Sequence, residues 1–402
     1  MGESLKIPQT RPTIGDEELA QLRGVIGDTW LTEGPRSAAF SERLNAVIDT
    51  PFGVLAPNGT LALVLGLMGL GIGPGDEVIV PDTTFIGSAN AVVMVGATPI
   101  LVDVDPEHYC ICPERAAAAV TDRTRAIMPV HMFGGCADMT AIMALAARHD
   151  LLVIEDAAQA LGVSWNGRPA GSIGDVGCFS FFADKTITTG EGGYVTCRDE
   201  KVYERLRLLR NQGRFDRGSF IHPAIGYNFR ITDMQAAIGL AQLDRLDTLV
   251  AGKARVLSRI REGLADVPEV RIVGPQAGST FVPFRTVLIG DRIDALAGHL
   301  ENAGIQTRSF FYPLHRQPCF MEVPDRLGGA ARLDDALFPN AIHGFDHGTD
   351  FVLAGQAHRV WLAVHCLADG VVCDDSTVGV NRTHGLTLPV NECRLHREGD
   401  FT

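Results

Sequence analysis

The chain lacks what several broad protein classes require. Its nine cysteines are an odd, scattered set with no CxxC pair, and Cys110 and Cys112 form only a lone CxC. That excludes a disulfide frame or a zinc ribbon and fits the reduced thiols of a cytoplasmic protein. Basic charge is short: 35 Lys and Arg stand against 48 Asp and Glu, a net of −13. Such a balance has the wrong sign for neutralising phosphates, so nucleic acid is not an expected partner. The longest apolar run, Leu61 to Ile72, is too short to span a bilayer. The segment Met1-Gly2-Glu3-Ser4-Leu5-Lys6 has no apolar signal region, and Lys6 spoils a myristoylation match. His131, His315, His343 and His347 form no metal-ligand spacing. The expectation is a soluble cytoplasmic protein with no membrane segment and no metal.

What is present is core material with a repeating rhythm. At 402 residues and 46% hydrophobic content the chain can bury a large core. Helical periods are read at 61–70, 88–95, 113–120 and 138–148. Short apolar strands are read at 77–80, 100–104, 126–130 and 151–154. Alternation of this kind predicts an α/β fold with a mostly parallel sheet covered on both faces. Two strands, 177–182 and 193–196, flank a glycine-dense turn, and Thr232–Val250 reads as one helix. From about 251 the pattern becomes helix, strand, helix. We therefore expect a large domain over 1–250 and a smaller α+β domain over 251–402.

The turn holds the most informative residue. Lys185 sits alone in the run from Phe179 to Gly193, otherwise aromatic, small or β-branched but for Asp184 and Glu191. Lost hydration there lowers an amine's pKa, and a neutral amine attacks carbonyls. A solvent-exposed lysine at a hairpin end is the plain alternative. Asn58-Gly59-Thr60 opens a helix, a place suited to phosphate, although Thr60 can equally be a simple N-cap. Asp156 ends the 151–154 strand on the ligand side of such a sheet, where it can hold a ring nitrogen protonated while Gln159 meets a ring hydroxyl. A helix N-cap is the competing role for Asp156. Phe85 can stack on a flat ring or fill the core. Asn228 and Arg230 can bind anions or be ordinary loop polarity. Gly71-Ile72-Gly73-Pro74-Gly75 follows a helix and contains Pro, so it is no dinucleotide loop.

Taken in order, these pieces resemble the DegT/DnrJ/EryC1/StrS sugar aminotransferases. The resemblance runs from about Ile7 to Pro318 and includes Trp30-Leu31-Thr32-Glu33-Gly34-Pro35, the stretch from Gly71 to Pro81, Pro129-Val130-His131, Glu155-Asp156-Ala157-Ala158-Gln159 and the lysine segment. The lysine segment, Gly226 to Arg230, and Arg308 to His315 look most like the branch containing GDP-perosamine synthase. The resemblance implies pyridoxal 5'-phosphate as cofactor and fold type I, with a seven-stranded sheet. It implies that Lys185 carries the cofactor and that Asp156 faces its pyridinium nitrogen. Gln159 would meet the ring hydroxyl, Phe85 the ring face, and Gly59, Thr60 and Ser180 the phosphate. Asn228 would reach the cofactor of a neighbouring subunit, which makes a homodimer with shared sites. Thr32, His131, Arg230 and His315 are carried over as substrate contacts.

The implied reaction moves an amino group from L-glutamate to a keto group of a nucleotide-linked deoxy sugar, similar to GDP-4-keto-6-deoxymannose. The family's dehydratases carry His where this chain has Lys185, which favours transamination. Alternatives are amination of a cyclitol ketone, an aminohydroxybenzoate-type synthesis, or a non-catalytic relative. Two departures stand out. Leu161 occupies a position where many relatives carry His, and about 35 residues near 349–384 interrupt the C-terminal region, after which no final helix is expected.

Overall fold

The computed structural model describes residues 7–320 except 216, 217 and 219, together with a strand at 341–344. The insertion expected near 349–384, the missing final helix and His347 lie outside the described residues.

Two helices, α1 (Asp16–Asp28) and α2 (Pro35–Ile48), lead into β1 (Phe52–Ala56). There follow α3 (Gly59–Gly69), β2 (Glu77–Pro81), α4 (Gly87–Met94), β3 (Thr98–Val102), α5 (Pro113–Ala118), β4 (Thr124–Ile127), α6 (Met139–His149) and β5 (Leu152–Asp156). A small hairpin, β6 (Ser164–Trp165) and β7 (Arg168–Pro169), precedes β8 (Val176–Ser180), β9 (Gly193–Cys197) and α7 (Glu200–Arg210). Seven strands form one sheet in the order β1-β9-β8-β5-β4-β2-β3. All pairings from β8 to β3 are parallel, and β9 runs against both β8 and β1. The α/β expectation therefore holds, with one reversed strand.

Burial explains the apolar runs. β2 is buried along its whole length because helices cover both faces of the sheet. Helix α3 is apolar all round for the same reason: Leu63, Val64, Leu65 and Leu67 are all buried. Gly66 keeps its backbone close to the sheet, since a Cβ there would lie 3.0 Å from Cys178 Sγ. Element ends shift by one to three residues from the sequence reading, and β1, β6, β7, α1, α2 and α7 were not read from it.

One helix is corrected. The expected single helix at 232–250 is two, α8 (Asp233–Asp244) and α9 (Leu246–Gly263). Arg245 leaves helical geometry between them, at φ −112 and ψ 9. Its guanidinium is drawn to Glu18 of α1 and to the Thr13 carbonyl. The apolar period passes through this bend, so periodicity alone does not reveal it.

A second, antiparallel sheet has the order β10-β11-β13-β12, from β10 (Arg271–Ile272), β11 (Thr286–Ile289), β12 (Arg308–Ser309) and β13 (Ala341–Gly344). Helix α10 (Ile293–Asn302) joins it, and Val256, Ile260, Leu288, Leu296 and Leu300 share its core. Ile7 bridges to Ile305 and packs in the same cluster.

Candidate active site

The carboxyl ends of parallel strands are where open α/β sheets bind ligands. Asn58–Thr60 follows β1, Phe85 follows β2, Asp156 closes β5, and Ser180 closes β8. These residues surround a cavity of about 1050 Å³ that Lys185 and Gln159 also line.

Lys185 lies in the β8–β9 connection, and three sets of hydrogen bonds fix that loop. Phe181 and Gly192 pair through their backbones at 2.8 Å, and the Thr188 hydroxyl donates to the Phe181 carbonyl at 3.1 Å. From α8, the Gln235 amide donates to the Glu191 carbonyl at 2.7 Å. Gly190, at φ 79, supplies the left-handed turn. The lysine side chain is 16% exposed, which contradicts the plain alternative of a solvated hairpin lysine. Burial lowers its pKa, partly opposed by Asp184.

Asp156 is buried at the cavity floor. Ser88 Oγ donates to its Oδ2 at 2.7 Å and the Ala158 amide to its Oδ1 at 3.1 Å. No helix follows it, so it is not a helix cap. Burial pushes its pKa up, opposed by the Ser88 and Ala158 hydrogen bonds and by Lys185 and His131. A protonated ring nitrogen beside Asp156 would further favour its charged form.

The cap at the start of α3 is Asn58, whose side chain accepts from the Leu61 amide at 2.9 Å. This relieves Thr60 of the capping role and leaves the Gly59 and Thr60 amides at the positive end of the helix. A Cβ at Gly59 would sit 2.7 Å from Ser180 Cβ, so only glycine keeps this cradle open. Phe85 is 57% exposed and faces the cavity, not the core. Gln159 accepts from the Phe133 amide at 2.8 Å, leaving its amide nitrogen as the donor for a ligand. A helix terminus for phosphate, an aromatic face and a carboxylate for a ring nitrogen together fit pyridoxal 5'-phosphate.

Five predicted contacts do not line the cavity. His131 is wholly buried, with Nε2 2.9 Å from Glu155 and Nδ1 accepting from the Ala137 amide at 3.1 Å; it cannot touch a substrate there. His315 is paired through Nδ1 with buried Asp82. Arg230 donates to Asn211 at 2.8 Å. Asn228 and Thr32 are exposed outside the cavity. Sequence reasoning missed Ser88 and Glu155. Ser88 lies three residues after Phe85, and only the fold brings it to Asp156. Glu155 accepts from the amides of Gly171, Ile173 and Gly174, holding the β5 end in place.

The sequence profile of the DegT/DnrJ/EryC1/StrS aminotransferase family matches residues 12–343. The chain belongs to this family. It is similar to GDP-perosamine synthase of Caulobacter vibrioides, at 39% identity over 79% of this chain and 88% of the relative. It is also similar to UDP-N-acetyl-3-dehydro-alpha-D-glucosamine 3-aminotransferase of Acidithiobacillus ferrooxidans, at 40% identity over 76% of this chain and 82% of that one. Among solved structures, S. venezuelae DesV in complex with a ketimine intermediate superposes with a TM-score of 0.81 at 35% identity, covering 88% of this chain and 94% of that one. Membership of the DegT/DnrJ/EryC1/StrS family makes the chain an aminotransferase, and among the described residues no helix is long and apolar enough to cross a membrane.

Proposed function

We propose that the protein is a pyridoxal 5'-phosphate-dependent aminotransferase that passes the amino group of L-glutamate to a keto group of a nucleotide-linked deoxy sugar. The observation that carries this is the convergence of Lys185, Asp156, Gln159, Phe85 and the Gly59-Thr60 helix start on one cavity. When bound, the cofactor supplies an electron sink for the carbon that loses its proton.

The residues act as follows. The Gly59 and Thr60 amides and the Ser180 hydroxyl hold the phosphate. Phe85 covers one ring face, and Gln159 donates to the ring hydroxyl. Asp156, oriented by Ser88 and Ala158, would hold the ring nitrogen of the cofactor in its protonated form. Lys185, its amine favoured by burial, takes the proton from the donor carbon and returns one to the sugar carbon. Asn228, exposed in the turn before α8, contacts the phosphate of a second subunit in a homodimer. A cytoplasmic setting agrees with the free thiols of all six described cysteines.

The substrate class rests on the relatives and on size. A cavity of about 1050 Å³ has room for a nucleotide-linked sugar beside the cofactor. Arg308 on β12 lines it and is exposed, offering a cation to the diphosphate. The test is a two-stage spectrum: glutamate bleaches the visible band, and a GDP- or UDP-linked keto sugar restores it. Restoration by a free cyclitol ketone but by no nucleotide sugar overturns the substrate class.

A further inference from the structure

Lys185 is bordered by an ion pair that joins the two sheets. Arg285 Nη2, from the residue just before β11, donates to Asp184 Oδ2 at 2.6 Å. The other oxygen, Asp184 Oδ1, is buried, makes no hydrogen bond among the described residues and lies 3.7 Å from Lys185 Nζ. Phe284 sits against both cations, its ring centroid 4.1 Å from Lys185 Nζ and 4.2 Å from the Arg285 guanidinium carbon. Arg285 is only 5% exposed, so water screens this arrangement poorly.

We propose that Asp184 and Arg285 are positioning residues for Lys185: the carboxylate holds the amine when it is released, and the guanidinium limits how firmly. The proposal rests on the reading of Lys185 as the cofactor-bearing residue. The charged groups that act on Lys185 are Asp184, Arg285 and Asp156, and Arg11, Lys253, Glu191 and Arg308 line the cavities it borders. Asp184 and Asp156 favour its ammonium form, and Arg285 opposes it. With the pair intact, Arg285 draws on the same carboxylate that Lys185 needs. Removing Asp184 takes away the carboxylate that favours the ammonium and leaves the opposing charge of Arg285 in place. Removing Arg285 leaves it an undivided carboxylate. The two losses act on the amine with opposite signs, whereas a mere strut between the sheets breaks in the same way from either end.

Asp184→Asn and Arg285→Met test this in the cofactor-loaded protein by the pH midpoint of its visible band. Asp184→Asn is expected to move the midpoint down by about one pH unit, and Arg285→Met to move it up by a similar amount. If a variant does not retain cofactor, the midpoint for reductive methylation of Lys185, read by peptide mass in cofactor-free protein, reports the same opposed pair. Midpoints that move together, or not at all, in protein that is still yellow overturn this inference alone. Wild-type protein that stays colourless with added pyridoxal 5'-phosphate overturns the cofactor reading and takes the inference with it.

Discussion

Glu155 and His131 form a wholly buried pair, with His131 Nε2 2.9 Å from Glu155 Oε2. Since Nδ1 already accepts from the Ala137 amide, the ring donates from Nε2 and Glu155 is the acceptor. Burial works against the charge on Glu155, but His131 and the amides of Gly171 and Gly174 outweigh it and hold its pKa below 4.5. This pair supports the end of β5, where Asp156 begins its work.

Glu155→Gln is expected to cost about 3 kcal/mol of stability, because it leaves donors unmatched in the core. The pH dependence has a fixed sign. The folded pKa is depressed, so the contribution of Glu155 is complete above its ordinary value of 4.5 and fades as pH falls through the folded value. Acid unfolding curves of wild type and variant should therefore converge at low pH, and curves that stay parallel contradict this.

Asp156→Asn keeps the Ser88 contact but removes the charge opposite the ring nitrogen. We expect kcat to fall about 100- to 1000-fold with little loss of folded protein. Steady-state kinetics beside a thermal melt separate the two effects, and a kcat within threefold of wild type argues against the assigned role.

Gly59→Ala places a methyl 2.7 Å from Ser180 Cβ. Crowding of this sort costs about 1–3 kcal/mol, which should weaken cofactor affinity about tenfold or more. Adding Ser180→Gly makes room and should recover part of the loss. A titration of apo-protein with the cofactor reads both, and equal affinities for Gly59→Ala and wild type would remove Gly59 from the cradle.

Asn228 predicts complementation. On the proposed homodimer with shared sites, the Lys185→Ala and Asn228→Ala proteins should each be nearly inactive. Mixing them after partial denaturation should restore activity, because one site of each hybrid then has Lys185 from one chain and Asn228 from the other. No recovery from verified hybrids means that the sites are not shared.

Legibility in the sequence followed the range of the interactions. The parallel core was readable because β2 to β5 are short apolar runs between helical periods, a local signal. Lys185, Asp156 and Gln159 were readable because each lies in a contiguous stretch. What was missed joins distant residues: Arg245 with Glu18, Ser88 with Asp156, His131 with Glu155, and Arg285 with Asp184. His131 was carried over as a substrate contact by the family resemblance alone, yet the chain turns its ring inward to Glu155. Phe85 shows the converse: phenylalanine favours cores, and only the fold reveals that this one borders an open cavity.

The claim on which everything else depends is that Lys185 bonds to the cofactor. Purified protein loaded with pyridoxal 5'-phosphate is reduced with borohydride, digested, and its peptides weighed. The account predicts the reduced cofactor on the peptide containing Lys185 and none on the Lys185→Ala protein. Label on another lysine, or no label in protein that remains folded, contradicts it.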